Sequence, residues 1–406
     1  MQKNKKLFLI DGMALIYRAY YAMIKNPLTS SNGLNTSAIY GFLNSILKLI
    51  KDEKPDYIAT VLDSKAKTFR HAQYELYKAN RKPMPDDLSE QLPFLYEILS
   101  SFKMKTFKID GYEADDIIGA ITRLEMSEKI DFFMYSADKD LMQLINENTF
   151  LYSPGNNFKP TKIYNSKNVF EKCNVYPEQF IDYLALLGDT SDNIPGVKGI
   201  GTKTASKLIS KYGNLEQIYK SLEKVSNPRI KNMLEINKKD AFLSKDLATI
   251  DVNIKLKFDL NELSVENLSY HNIIEKLNNL DIHTFDKELN KYSKNIHVDN
   301  VEKKYQIINS YDKLDTLINN LKLQPYISLD LETTNINPNL AEIVGVAISY
   351  KPNEGYYIPI IYPNKINQDF KKDETIKRLK IFFESQKLKI IGQNIKYDAL
   401  IFKKYN

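Results

Sequence analysis

The chain reads as an α/β protein: a parallel sheet covered on both faces, followed by an all-helical section and then a second α/β unit. Three observations predict this. Apolar β-rich runs alternate with helical periods up to about residue 165, the pattern from Pro177 to about Ser244 is almost wholly helical, and a fresh α/β pattern starts at Tyr305. At 406 residues the chain also exceeds one typical core, so two or three domains are expected.

The first strand is read in Lys6-Leu7-Phe8-Leu9-Ile10, which ends at Asp11. A second is Tyr57-Ile58-Ala59-Thr60-Val61-Leu62, ending at Asp63, and a later one is Phe132-Phe133-Met134-Tyr135, shortly before Asp138. Runs that are apolar at every position belong to strands buried on both faces. Helical periods cover Thr36 to Lys51, Leu88 to Phe102 and Ala114 to Met126. In the helical section, the turn Gly196-Val197-Lys198-Gly199-Ile200-Gly201 separates two helices. After Asp251 a polar, Asn-rich stretch of weak periodicity runs to Lys291–Lys304, where the linker is placed. Beyond it, Tyr326-Ile327-Ser328-Leu329 leads to Asp330, and Ile343 to Ile348 form a further strand. The division expected is a core over 1–170, a helical subdomain over 171–290, a linker over 291–304 and a second α/β domain over 305–406.

With 43% apolar and 27% charged residues, the composition is that of an ordinary folded protein rather than a disordered one. No apolar run approaches the roughly 18 residues of a membrane span, and Met1-Gln2-Lys3-Asn4-Lys5-Lys6 leads straight into a strand, so a cytoplasmic protein with no membrane partner is expected. A single cysteine, Cys173, excludes an internal disulfide and a cysteine-based zinc site. The four histidines, His71, His271, His283 and His297, form no pair at metal-binding spacing. The net charge of +6 is modest, but its distribution is uneven. Lys65, Lys67, Arg70, Lys78, Arg81 and Lys82 face a lone Glu75, and Lys198, Lys203, Lys207 and Lys211 have no acid among them. Such segments suit a phosphate polymer, and a solvated helix face is the plainer alternative.

Nine carboxylates fall in five clusters within the first 192 residues: Asp11; Asp63; Glu113, Asp115 and Asp116; Asp138 and Asp140; Asp189 and Asp192. Sites of open α/β sheets form at the carboxyl ends of the strands, so distant segments would deliver these acids to one rim, where repulsion calls for cations between them. An all-oxygen donor set selects Mg2+ or Mn2+, two or more ions, which could activate a water against a phosphodiester. Glu113 and Asp116, three apart at a helix start, share a face, and Asp138 and Asp140 would do so if extended. Taken singly, Asp115 could be a helix-start charge and Asp63 a turn residue. A dehalogenase-like phosphatase would want an Asp-x-Asp after the first strand, and Asp11-Gly12-Met13 lacks it.

Phe8-Leu9-Ile10-Asp11-Gly12, Tyr77-Lys78-Ala79-Asn80-Arg81, Gly111-Tyr112-Glu113-Ala114-Asp115-Asp116, Ser136-Ala137-Asp138-Lys139-Asp140 and Gly188-Asp189-Thr190-Ser191-Asp192-Asn193-Ile194-Pro195-Gly196 resemble, in the same order, the motifs of the 5′ to 3′ exonuclease (flap endonuclease) domain of bacterial DNA polymerase I. The resemblance covers roughly residues 1 to 290. It implies a PIN-like nuclease core with a helical arch and a helix-hairpin-helix subdomain. It also implies that all nine acids bind metal, with Asp11, Asp63, Glu113, Asp115 and Asp116 catalytic, and that Lys78 and Arg81 hold the scissile phosphate. DNA contacts are expected from Arg70, Lys78 and Arg81 and, at the hairpin, from Gly196, Gly199, Gly201, Lys203 and Lys207, with a monovalent cation there as a further expectation. The implied substrates are DNA with 5′ flaps, nicks or RNA primers, cut by a monomer. Tyr17, Tyr20 and Tyr21 could stack on an unpaired base, although core packing is the commoner use of such residues. A PIN-like ribonuclease and a non-catalytic DNA-binding scaffold stand as alternatives.

In the last section, Leu329-Asp330-Leu331-Glu332-Thr333-Thr334 places Asp330 and Glu332 on one face of a strand, and Gly392-Gln393-Asn394-Ile395-Lys396-Tyr397-Asp398 follows near the end. These resemble the first two motifs of the 3′ to 5′ proofreading exonuclease that follows the flap nuclease in the same family. The resemblance implies a ribonuclease-H-like fold, metal binding by Asp330, Glu332 and Asp398, and a supporting role for Asn394. A third motif would lie beyond Asn406. The domain is therefore read as incomplete and its site as inactive, the front portion of a longer polymerase.

Overall fold

Leu7, Phe8, Leu9 and Ile10 are all fully buried, because their strand, β1 (Lys5–Asp11), is the centre of a sheet covered on both faces. β1 pairs in parallel with β2 (Tyr57–Val61) on one side, and β3 (Thr106–Phe107) extends that side. On the other it pairs in parallel with β4 (Ile130–Tyr135), which is followed by β5 (Thr149–Ser153) and the antiparallel edge β6 (Lys162–Tyr164). The computed structural model describes residues 4–126, 129–155, 160–295, 304–361, 370–385 and 389–405. It divides into two units, Met1–Ile296 and His297–Asn406.

Alternation along β1 separates two cores. Phe8 and Ile10 pack with α1 (Gly12–Ala22), α2 (Ser37–Glu53) and α5 (Leu92–Ser101), the Phe8 ring stacking on Phe133 at 4.7 Å. Leu7 and Leu9 pack with Ile117, Ile118 and Ile121 of α6 (Ala114–Thr122). Gly12 is needed where α1 leaves the sheet, since a Cβ there would stand 2.6 Å from Leu62 and 2.9 Å from the Val61 carbonyl. Between β2 and α5 the described residues hold only the short helices α3 (Phe69–Gln73) and α4 (Asp86–Ser89), so the expected arch is built of turns with little helix. The helix expected over Leu88–Phe102 is broken between Ser89 and Leu92, because Pro93 has no amide to give and fits only a first turn.

The helical section comprises α7 (Ser166–Cys173), α8 (Phe180–Leu187), α9 (Thr202–Tyr212), α10 (Leu215–Lys220), α11 (Pro228–Ile236) and α12 (Lys238–Ala248). It joins the Leu7/Leu9 core through Phe180, Leu184 and Ala185. Within residues 251–290, the stretch up to Leu263 stays against the Leu7/Leu9 core with the helical section, Ile254 and Leu263 being buried there. From Val265 the chain packs instead on the opposite core, through α13 (Tyr270–Asn278) and α14 (Asp286–Asn295). Tyr270, Ile273, Leu277 and Leu280 form the apolar stripe that drives this, with Tyr270 against Phe102 at 5.2 Å. Of the expected linker, residues 291–295 end α14, and 296–303 lie outside the described residues.

The second unit is a five-stranded sheet of order β11-β8-β9-β10-β7. Its strands are β7 (Lys304–Ile307), β8 (Tyr326–Thr333), β9 (Ile343–Ser349), β10 (Glu354–Pro359) and β11 (Lys389–Ile391). β9 runs antiparallel to both neighbours, whereas the edge strands β11 and β7 run parallel to β8 and β10, respectively. Ile327, Leu329 and Leu331 of β8 are buried in a core that includes α15 (Tyr311–Leu321), α16 (Lys372–Ser385) and α17 (Ile395–Lys404). No helix among the described residues is long and apolar enough to cross a membrane.

Candidate active site

Asp11 ends β1 and is buried, with one carboxylate oxygen capping α1 through the Ala14 amide at 3.1 Å and the other accepting from Ser136 Oγ at 2.7 Å. Burial raises its pKa to about 6 against the pull of these two donors, and the charges of Asp63 and Asp138 push it the same way. Asp63, two residues past β2, accepts the Ala114 amide at 2.9 Å and so ties the β2 rim to the start of α6. At that start Asp115 is driven well above the usual carboxylate range by burial and by Asp138, Asp11, Asp63 and Glu113.

Asp138 and Asp140 do not share the face of a strand, as extended backbone would require. The Asp140 amide bonds Asp138 Oδ1 at 2.8 Å, and Asp140 opens a 3-10 turn running to Leu144. Burial and Asp138 raise Asp140 to about 7, with further contributions from Asp189 and Asp192, and its Oδ1 is buried without a hydrogen-bond partner. Asp138 is likewise raised by burial and by Asp192 and Asp189. Burial also pushes Asp189 upward, but Ser191 and Lys139, the latter at 3.1 Å, outweigh it and leave its pKa lowered. The fold thus brings eight of the nine acids into two overlapping electrostatic groups: Asp11, Asp63, Glu113, Asp115 and Asp138, then Asp138, Asp140, Asp189 and Asp192.

Bases close over this rim. Lys78 takes a left-handed backbone (φ 56°), and its amide is held by the Asp192 carbonyl at 2.9 Å. Its Nζ lies 2.7 Å from Glu113 and 3.7 Å from Asp192. Arg81 pairs with Asp192, its Nε at 3.1 Å. Tyr77 donates to Glu113 at 3.0 Å, and its pKa is raised by burial and by Glu113. Among the described residues, no group of three or more Asp, Glu, His or Cys side chains is arranged to hold a metal ion as it stands, and Lys78, Arg81 and Lys139 serve as the counter-charges. The all-carboxylate donor set, the unpartnered Asp140 oxygen and the raised acids nevertheless fit hard divalent cations.

Two expectations of DNA contact are corrected. Arg70 is 3% exposed and grips Asp116 with both terminal nitrogens at 2.7–2.8 Å, so it cannot reach a phosphate. Gly196 is buried and gives its amide to Ser244 Oγ at 2.8 Å. Its role is close approach, since a Cβ would lie 2.4 Å from the Gly188 nitrogen. Gly199 and Gly201 are exposed, as are Lys203 and Lys207, and α9 begins at Gly201 with no side-chain cap. Of the tyrosines, Tyr20 is buried and bonds Asp87, whereas Tyr21 is 53% exposed and stacks on Tyr17. Sequence reasoning passed over Ser136, Lys139 and Tyr77 as site residues, although each stands inside or beside a motif already singled out.

In the second unit, Asp330 and Glu332 are exposed on one face of β8. Asp398, in α17, is 3% exposed with an unpartnered Oδ2, and burial and Asp330 raise its pKa. Asn394 N-caps α17 in a left-handed conformation (φ 56°).

Residues 6–174 match the family described as the 5'-3' exonuclease, N-terminal resolvase-like domain, and residues 175–271 the 5'-3' exonuclease, C-terminal SAM fold. Residues 305–406 match the 3'-5' exonuclease. A 5'-3' exonuclease of Aquifex aeolicus is 36% identical over 71% of this chain and 96% of its own length. DNA polymerase I of Borreliella burgdorferi is 34% identical over 98% of this chain, and that of Caldicellulosiruptor bescii 42% identical over 70%. The matched parts are 46% and 33% of those two polymerases, so the chain spans less than half their length. Among solved structures, T5 5'-exonuclease with bound divalent metal ions (zinc) is 23% identical, covering 72% of this chain and 98% of that one at a TM-score of 0.50. The catalytic core of Rad2 in complex with DNA substrate is 15% identical, covering 71% and 93%, also at 0.50. These two likenesses establish the fold, and the sequence matches place the chain in the 5'-3' exonuclease family to which bacterial DNA polymerase I belongs.

Proposed function

We propose that the first unit is a 5′ to 3′ exonuclease and flap endonuclease that hydrolyses phosphodiesters in DNA with 5′ flaps, nicks or RNA primers. The observation that carries this is the convergence of acids from five separate segments into two electrostatic groups that share Asp138, beside Lys78 and Arg81. Asp11, Asp63, Glu113, Asp115 and Asp138 would hold one Mg2+ or Mn2+, and Asp138, Asp140, Asp189 and Asp192 another. Bound there, the ions supply activation of water and neutralisation of charge on the phosphate. Lys78 and Arg81, freed from Glu113 and Asp192 as cations take those acids, would hold the phosphate oxygens in place. The exposed start of α9, with Lys203 and Lys207, would grip the duplex backbone without reading sequence. We assign Asp330, Glu332 and Asp398 to a second metal site of the 3′ to 5′ exonuclease type. The enzyme would act as a monomer in the cytoplasm.

Asp115→Asn should lower cleavage of a 5′-flapped duplex in Mg2+ by about 10³-fold or more while leaving DNA binding in Ca2+ largely intact. Retained cleavage would refute the assignment. A ribonuclease of the same fold would prefer RNA hairpins to flapped DNA in parallel assays.

A further inference from the structure

Residues 247–251, where the chain leaves α12, lie across α3 and two acid-bearing elements of the first unit, α6 and the turn that begins at Asp140. Arg70 Nε donates to the Leu247 carbonyl at 2.9 Å and its Nη2 to the Thr249 carbonyl at 2.7 Å, while the guanidinium fork holds Asp116. Asp116 is 0% exposed. Its Oδ1 accepts from Arg70 and the Asp251 amide (2.9 Å), and its Oδ2 from Arg70 and the Glu113 amide (3.1 Å), so each oxygen already has two donors. Gln143, on the turn that begins at Asp140, donates to the Asp140 and Ala248 carbonyls at 3.0 Å and accepts the Ile250 amide at 3.0 Å. Gly119 of α6 lets the strap lie flat, since a Cβ there would come within 2.8 Å of Ile250. One turn back along α12, Ser244 accepts the Gly196 amide and so reaches the hairpin turn.

We propose that Arg70, Asp116 and Gln143 are positioning residues which, through the 247–251 strap, keep the Glu113/Asp115 and Asp138/Asp140 clusters in register with each other and with the hairpin. This rests on the nuclease reading above. A buried ion pair adds little stability over apolar packing of the same volume, but it dictates geometry, and a planar fork bonded on all sides dictates it closely. Asp116 has all four of its carboxylate acceptor positions taken by these donors. It acts on the site through the Glu113 amide and the Arg70 fork.

The test uses the full chain and compares Arg70→Gln, Asp116→Asn, their double variant and Gln143→Leu. Steady-state cleavage of a 5′-flapped duplex in Mg2+ is measured together with Mn2+ uptake by calorimetry and thermal melting. Positioning predicts that Arg70→Gln and Asp116→Asn each lower kcat by about 10- to 100-fold with KM within about threefold, and that the double variant is no worse than the poorer single. The number of Mn2+ ions bound should not change. Gln143→Leu leaves the ion pair intact, so it stays informative if loss of a buried charge prevents folding; about a tenfold fall in kcat is expected. Loss of one Mn2+ in Asp116→Asn but not in Arg70→Gln would make Asp116 a ligand and overturn the proposal. So would additive losses in the double variant, or lowered melting temperatures with kcat unchanged. A parent chain that fails to cut the flap would overturn the nuclease reading itself, and positioning for that reaction with it.

Discussion

Asp115 and Asp116 are consecutive, yet successive residues of a helix point about 100° apart, and here that angle separates a like-charged cage from an arginine fork. The stability effects of removing them should therefore have opposite signs. Asp116→Ala leaves Arg70 charged and buried with only Glu113, at 3.6 Å, as an acidic partner and should cost about 3–5 kcal/mol in urea unfolding. Asp115→Ala removes one of several mutually repelling carboxylates and should be neutral or stabilising in EDTA, the more so above pH 7. An equal loss in both variants would contradict this division. Sequence reasoning grouped Arg70 with Lys78 and Arg81 because all three are basic residues in one short stretch; only the partner at position 116 shows that Arg70 faces inward.

At the scale of elements, the turn from α8 to α9 shows two uses of glycine. Gly188 and Gly196 have positive φ (68° and 63°) and press backbone to backbone, whereas Gly201 opens α9 with free space where a Cβ would be. Gly196→Ala should destabilise the helical section by at least about 1–3 kcal/mol. Gly201→Ala should cost under about 1 kcal/mol. Melting curves distinguish the two, and similar losses would count against the close-approach role. Lys203→Ala should weaken duplex binding uniformly across sequences and reduce the slope of log affinity against log salt by about 1. An unchanged slope would remove Lys203 from the interface. A turn between two helices was legible in the sequence from its glycines, and the resemblance to the nuclease family implied that it is a hairpin. Which of its glycines face outward depends on where Ser244 of α12 sits.

For the molecule as a whole, the acid cage makes stability depend on pH and divalent ions together. Asp11 and Asp140 have folded-state values of about 6 and about 7 against 3.8 for a free aspartate, so between pH 4 and 7 these acids bind more protons in the folded chain than in the unfolded one, while His71, lowered by burial, offsets part of this near the ordinary imidazole range. Stability in EDTA must therefore fall as pH rises through that window. Asp189, with its lowered value, works the opposite way, but only at pH below the ordinary aspartate range. Divalent cations compete with the protons, so the melting-temperature gain from Mg2+ should be larger at pH 8 than at pH 5.5. A gain independent of pH would mean that the ions bind outside these carboxylates.

The strand ends, the order of the acid clusters, the helical section and the start of a second α/β unit could all be read from the amino-acid order. They depend on periodicity and on residue types a few positions apart, which the local chain determines. The tertiary structure decided which acids face one another, that Asp116 faces Arg70, that Gly196 faces inward and that residues 265–290 return to the opposite face of the sheet. Those choices are made by partners far away in the chain: Arg70 meets Leu247 and Thr249 across 177 and 179 positions. A side chain's type states what it can bond, and packing alone selects the partner.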